Sequence, residues 1–401
     1  MEEIQGGVTV PKGFLAGAAH GGLKKEGYDV GIILSERPAQ AAAMFTTNQI
    51  VAAPVVYSRE AIKKGQVRAV AVNSGNANAC TGKQGHEDVR AMVASTASSL
   101  GIPPDDVFVA STGIIGERLP VDKVTSGIKE AVRNLGPERE NGHAFAESIM
   151  TTDTRTKEVA VKIKAGEHLI TIGGAAKGAG MIAPNMATML CFITTDSAVP
   201  SNILGRCLNK SVTNSFNRIS VDGHMSTNDT VVILANGAAG EPVIDDATMV
   251  LPVFQEALDH VTHHLARAIV KDGEGATKLV GIAVSGAPTD AYALRIARAI
   301  ADSPLVKTAV NGEDPNWGRI ISAAGATGIP LDEQRLNLYI GNVLVFEGGG
   351  PVAFEQEKLL EEMKKKEVHI HLHLGLGKSK IEFWTCDLSH EYVTINAKYH
   401  T

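Results

Sequence analysis

The chain has 401 residues, 44% of them apolar and only 4% aromatic, with 41 glycines and a net charge of −6. That length exceeds one ordinary core and implies two lobes or one large layered domain, while the acidic balance gives no footing for nucleic acid or an anionic membrane as a partner. No apolar run approaches the ~20 residues that cross a bilayer, and Met1-Glu2-Glu3 lacks the charged-then-apolar order of a signal peptide. Cys80, Cys191, Cys207 and Cys386 have neither metal nor redox spacing, so a reducing cytoplasm with free, mostly buried thiols is expected.

In chain order, the strand Ala69-Val70-Ala71-Val72 runs into the amide-rich Asn73-Ser74-Gly75-Asn76-Ala77-Asn78, either a hydrogen-bonded turn or a ligand site at a strand end. Residues 86–100 read as a helix stopped by Pro103-Pro104. The strand 107–109 leads into Ser111-Thr112-Gly113, either a plain turn or a set of N–H and hydroxyl groups aimed at a developing oxyanion. A helix follows at about 121–135. Strands are predicted at 159–163, at 169–172 (ending in Gly173-Gly174) and at 189–194. Pro200 opens an amphipathic helix with Ile203, Leu204, Cys207, Leu208 and Val212 on one face. Buried strands are expected at 231–234 and 280–284, and Thr289 caps a helix carrying Ala293, Ile296, Ala297 and Ile300. The last third turns β-rich, with strands at 336–340, 343–346, 368–374, 381–384 and 392–395. This mixture argues for an α+β layered architecture rather than a purely parallel doubly wound sheet.

Several motifs are set aside. Gly377-Lys378-Ser379 has Leu372 where a phosphate loop needs its first glycine, and Gly178-x-Gly180-x-x-Ala183 meets Pro184 instead of opening a helix. His369, His371 and His373 share one strand face without a fourth ligand, and His263-His264 reads as helix surface or satisfied core, so no metal site is expected. Two further loops are dense in polar groups: Asp222-Gly223-His224-Met225-Ser226-Thr227-Asn228-Asp229-Thr230 and Asn311-Gly312-Glu313-Asp314-Pro315-Asn316-Trp317-Gly318-Arg319. With the loops at 73–78 and 111–113, they suggest a polar pocket built from strand ends.

The stretch from Lys177 to Leu190 says most. It is a small-residue loop between two strands, with a lone Thr188 where loop becomes strand. A backbone cut before Thr188 would leave hydroxyl and free α-amine on one residue, a nucleophile with its own base.

Together these segments resemble the ornithine acetyltransferases, or glutamate N-acetyltransferases, of arginine biosynthesis. The resemblance covers essentially the whole chain in order. It is carried by the 72–78 loop, Ser111-Thr112-Gly113, Met150-Thr151-Thr152-Asp153-Thr154, the Lys177–Leu190 core, Asp314 to Arg319, and Tyr392 to Tyr399. It implies a layered αββα sandwich of the self-processing, N-terminal-nucleophile-like type. The precursor would cleave itself between Ala187 and Thr188 into chains of residues 1–187 and 188–401, pairing into a heterotetramer of two α and two β chains.

The same resemblance implies transfer of acetyl from N2-acetylornithine to glutamate by a ping-pong route through acetyl-Thr188. Thr112 and Gly113 would stabilise the oxyanion, and Thr151, Lys177, Thr188, Glu274, Asn396 and Thr401 would contact substrate. No cofactor is implied beyond acetyl-CoA as a co-substrate of bifunctional members. The family pattern has Asp-Thr where this chain has His224-Met225, which puts any role of that loop in charge balance or cleavage timing in doubt. The rival readings are a self-cleaving amidase or aminopeptidase, with water as acceptor, and a non-enzymatic metabolite-binding protein.

Overall fold

A computed structural model of the chain describes residues 1–165, 168–183, 189–240 and 243–398. Its larger sheet has nine strands: β1 (Glu2–Ile4), β2 (Phe14–Ala19), β3 (Val30–Phe45), β4 (Gln66–Asn73), β5 (Val107–Ser111), β6 (Lys157–Ala165), β7 (His168–Lys177), β8 (Leu190–Thr195) and β9 (Thr230–Ala235). The order is β1-β6-β7-β8-β9-β3-β4-β5, with β2 also against β3. The first part of β3 pairs with β2 and β4, the latter with a register shift between Leu34 and Ala39, and its last part, Gln40 to Phe45, pairs with β9. One long strand therefore belongs to both halves of the sheet.

Side-chain alternation sorts each strand between two faces. Val70, Val72, Phe108 and Ala110 from one half share a core with Leu190, Phe192, Val232 and Leu234 from the other, and Phe145 meets Phe192 edge-on at 5.3 Å. The opposite faces take helices. α1 (Ala53–Ala61), α2 (Gly82–Leu100) and α3 (Val121–Arg133) cover Ala69, Ala71, Val107 and Val109, while α4 (Arg139–Ser148) lends Phe145 and Ala146 to the shared inner core. α5 (Ser201–Asn214) and α6 (Leu251–Lys271) cover Cys191, Ile193, Val231 and Ile233. The layers run α, β, β, α, as the resemblance implies.

The smaller sheet comprises β10 (Leu279–Ala287), β11 (Asn337–Ile340), β12 (Val343–Glu347), β13 (Gly350–Pro351), β14 (Glu367–His373) and β15 (Ser379–Cys386), in the order β13-β12-β11-β14-β10-β15. α7 (Asp290–Ala301), α8 (Pro304–Asn311), α9 (Trp317–Gly325) and α10 (Gln356–Lys364) cover one face. Thr289 caps α7 as expected, accepting from the Tyr292 N–H. The other face carries His369, His371 and His373 in partial exposure, with Ser285 Oγ 2.7 Å from His371 and 3.0 Å from His373.

Two expectations need correction. β7 does not end at Gly173-Gly174 but runs on to Lys177. A Cβ on Gly173 would lie 2.1 Å from the Gly7 carbonyl oxygen, so glycine here permits close backbone approach inside a strand instead of ending it. The strand expected at 392–395 is part of a helix, α11 (His390–Lys398). Its β-branched residues pair with no sheet edge, and helical spacing brings Tyr392 and Asn396 one turn apart, onto Asp222 and Glu274 respectively.

The predicted division at 187/188 falls between β7 and β8, neighbours paired from Ile172↔Thr195 to Lys177↔Leu190. The division by sheets lies between β9 and β10.

Candidate active site

β7 delivers Lys177 at its last position, 2% exposed, beneath the open end of the larger sheet. Its ammonium donates to Thr151 Oγ1 at 2.8 Å and to Thr112 Oγ1 at 3.4 Å. Burial pushes the Lys177 amine below its ordinary value, against the opposing pull of Asp153. Behind it lies a buried ionic knot. Lys157 Nζ is 2.6 Å from both Asp153 Oδ1 and Asp272 Oδ2, and Asp153 also accepts from the N–H groups of Gly178 (2.7 Å) and Thr151 (3.0 Å). Burial works against ionising Asp153, but Lys177, Lys157 and the Gly178 N–H outweigh it and hold the carboxyl at about 2.

The oxyanion candidates sit on the turn after β5. Gly113 has φ 132°, and a Cβ there would lie 2.3 Å from the Gly75 carbonyl carbon, so the 111–113 turn packs directly on the 73–78 loop. Thr112 N donates to Asn73 O at 3.0 Å, and Asn228 Nδ2 bridges the carbonyls of Ala77 (2.7 Å) and Ser111 (2.8 Å). Among the described residues the Gly113 N–H has no acceptor, and Gly113 lines the cleft together with Thr112. The amides of Asn73 and Asn76 are spent inside the protein, on Asn76 O and on the carbonyls of Glu117 and Arg118. Of the two readings of that loop, the hydrogen-bonded turn is the one the geometry supports.

The far wall carries the opposite charge. Glu274 accepts from Asn396 Nδ2 at 2.7 Å, and its backbone N–H holds Ala179 O at 2.9 Å. A Cβ on Gly180 would lie 2.3–2.5 Å from the Glu274 carboxylate, which explains a glycine at this point of the loop. Asp222 grips the chain just beyond, accepting from Met181 N (2.7 Å) and Ile182 N (2.9 Å). Asp229, 1% exposed, accepts from Met189 N at 3.1 Å, and burial pushes its carboxyl well above the ordinary range.

Thr112, Gly113, Thr151, Lys177, Glu274 and Asn396 line one cleft, with Ala77, Ser226 and Asn228 between them. Every predicted site residue that falls among the described residues is there; Ala187, Thr188 and Thr401 lie outside them. The pocket of four loops needs correction, because only three contribute. The 311–319 loop belongs to the smaller sheet, where Glu313 pairs with Lys278 at 2.8 Å. His224 and Met225 do not line the cleft: His224 is exposed, and Met225 O accepts from Asn48. Sequence reasoning did not single out the Asp153–Lys157–Asp272 knot. Lys157 opens a strand that also carries Glu158, Lys162 and Lys164, so nothing local distinguishes it.

Fold and cleft define a layered α+β protein. Its site sets backbone and hydroxyl donors beside a buried amine and a carboxylate. The ArgJ family model matches residues 15–401. The arginine biosynthesis bifunctional protein ArgJ of Symbiobacterium thermophilum is 46% identical over 404 residues, covering 100% of both chains. Its counterpart in Dehalococcoides mccartyi is 49% identical over 399 residues, covering 99% of this chain and 98% of that one. Among solved structures, an ArgJ chain from Bacillus halodurans is 44% identical, covers 46% of this chain and 97% of its own, and superposes with a TM-score of 0.45. The chain belongs to the ArgJ family.

Proposed function

We propose that this protein transfers an acetyl group from N2-acetylornithine to glutamate, through an ester on a threonine that the chain itself exposes. The reading is supported by curated relatives of arginine biosynthesis matched over the full length. The observation that carries it is the convergence of Thr112, Gly113, Thr151, Lys177, Glu274 and Asn396, scattered over nearly three hundred residues of sequence, on one cleft.

In this reading the peptide bond between Ala187 and Thr188 is cut, and residues 1–187 and 188–401 stay together because β7 and β8 are neighbours in one sheet. The Thr188 hydroxyl attacks the acetyl carbonyl and passes its proton to the Thr188 amine. The Thr112 hydroxyl and Gly113 N–H bind the tetrahedral oxyanion, and ornithine leaves with the proton. Glutamate's neutral amine then attacks the ester carbonyl, the C–Oγ bond breaks, and the amine's proton passes through the Thr188 amine to Thr188 Oγ, so that N-acetylglutamate leaves and the free hydroxyl is restored. Lys177 pairs with the α-carboxylate common to both substrates, and Glu274, oriented by Asn396, pairs with the ornithine ammonium. Thr151 fixes the Lys177 amine, and Thr401 completes the contacts.

The relatives' description as bifunctional supports acetyl-CoA as a second donor. The assembly is a cytoplasmic heterotetramer of two α and two β chains. Intact mass spectrometry tests the cut: wild type gives two polypeptides, Thr188→Ala one. Assays with each donor then measure acetylglutamate against free acetate. Acetate without acetylglutamate, or full activity in an uncut chain, sinks the proposal.

A further inference from the structure

We propose that Glu3, His260 and His264 form a binding site for a divalent transition-metal ion of the zinc or nickel class, tying the N-terminal strand to helix α6. The three come from segments more than 250 residues apart. β1 pairs with β6 so that Glu3 stands opposite Val161, and Val161 belongs to the core beneath α6. Paired residues share a sheet face, so Glu3 faces α6 as well. On α6, His260 and His264 are four residues apart, hence stacked on one side of the helix.

Glu3 Oε2 lies 2.9 Å from His260 Nε2 and 3.9 Å from His264 Nδ1, and the three donor atoms all fall within 4.8 Å of one another. Donors about 2.0 Å from a tetrahedral ion stand roughly 3.3 Å apart, so small rotations of partly exposed side chains bring all three into its shell. Two imidazoles and a carboxylate suit zinc, nickel or copper; magnesium and calcium prefer all-oxygen sites. Arg267, one turn further along α6, does not compete for Glu3: it pairs with Glu367 at 2.9 Å and stacks over Trp384 at 4.2 Å. A water takes the remaining coordination position.

The site does not depend on the acetyl-transfer reading, since none of its residues lines the cleft. Its consequence is mechanical: the ion clamps the edge strand, paired over only three residues, to a 21-residue helix.

The test is calorimetric titration of the full chain, freed of metal by a chelator that is then dialysed away, with zinc chloride. His260→Ala and His264→Ala each lose one site or weaken it by ~10-fold or more, at least the loss seen when only an outer-shell partner is removed. Glu3→Gln keeps the hydrogen-bond acceptor but weakens binding. Zinc raises the thermal midpoint of the parent and not of the histidine variants. Zinc held by His371 and His373 on the smaller sheet titrates alike in parent and variants, so the difference isolates this site. Equal stoichiometry and affinity in parent, His260→Ala and His264→Ala overturns the proposal.

Discussion

Asp153→Asn strikes the point on which the charged wall of the cleft rests. The carboxylate is buried, accepts from two backbone N–H groups and Lys157, and sits beside Lys177. Its pKa falls from 3.8 to about 2, a linkage worth roughly 2 kcal/mol at neutral pH. The sign follows from the depression: the stabilisation is complete above the unfolded value and is lost as pH falls from about 4 through about 2. Stripping one partner from a buried ion pair costs ~3–5 kcal/mol, but Lys157 keeps Asp272 at 2.6 Å, which holds the loss near the lower end. Asparagine offers one acceptor where two N–H groups and a lysine now bond. The expected cost is therefore about 2–4 kcal/mol at pH 7, shrinking below pH 4 as the parent loses its own advantage. Urea unfolding followed by near-ultraviolet circular dichroism, at pH 7 and in steps towards pH 3, measures both. A cost under about 0.5 kcal/mol at pH 7, or one that does not shrink with acid, refutes the account of the knot.

Asp229→Asn moves stability the other way. The parent's raised carboxyl keeps its proton in the folded state where the unfolded chain has lost it, so the parent loses stability as pH rises above about 4. The asparagine variant keeps an acceptor for Met189 N and gains on the parent as pH rises above about 4 in paired urea titrations. On the proposed reading Thr112 is an oxyanion donor, so Thr112→Ala lowers kcat by roughly 10²–10³ with KM little changed, measured by acetylglutamate formation. Gly180→Ala displaces the Glu274 carboxylate from Asn396. Losing that charge-assisted bond lowers the urea-derived stability by about 1.5–3 kcal/mol, and, on the proposed reading, the displaced carboxylate meets the substrate ammonium less well, so KM for N2-acetylornithine rises ~10-fold or more.

What was legible in the sequence follows physical lines. Strands with alternating or continuous apolar residues, such as β4, β5, β8 and β14, announce themselves, as does α5 with its stripe from Ile203 to Val212. β7 was cut short because a glycine pair ordinarily ends a strand, and the close approach of Gly7 is not written near residue 173. α11 was read as a strand because Val393, Thr394 and Ile395 are β-formers locally, whereas what orders it, Tyr392 on Asp222 and Asn396 on Glu274, is remote in sequence. The cleft residues were placed by family resemblance, not by pattern. Loop chemistry alone left the 73–78 amides and the 111–113 turn ambiguous and wrongly added the 311–319 loop. Hydrogen-bond partners separated by a hundred residues, such as Asn228 with Ser111, decide such questions and leave no periodic trace.

The same distance relations bear on why a chain cut at 187/188 would hold its site. Thr112, Gly113, Thr151 and Lys177 precede the junction, while Ser226, Asn228, Glu274 and Asn396 follow it, so neither portion contains the cleft. The two portions nevertheless share one sheet twice over, through β7 against β8 and β3 against β9, six residue pairs at each seam. Both seams feed the inner core, where Phe145 from one portion packs on Phe192 from the other. Such an interface is a domain interior, not a docking surface, and the unfavourable entropy of associating two chains is met in advance because both fold as one. On the proposed reading, a cut in that one loop leaves both seams, and with them the described walls of the cleft, intact.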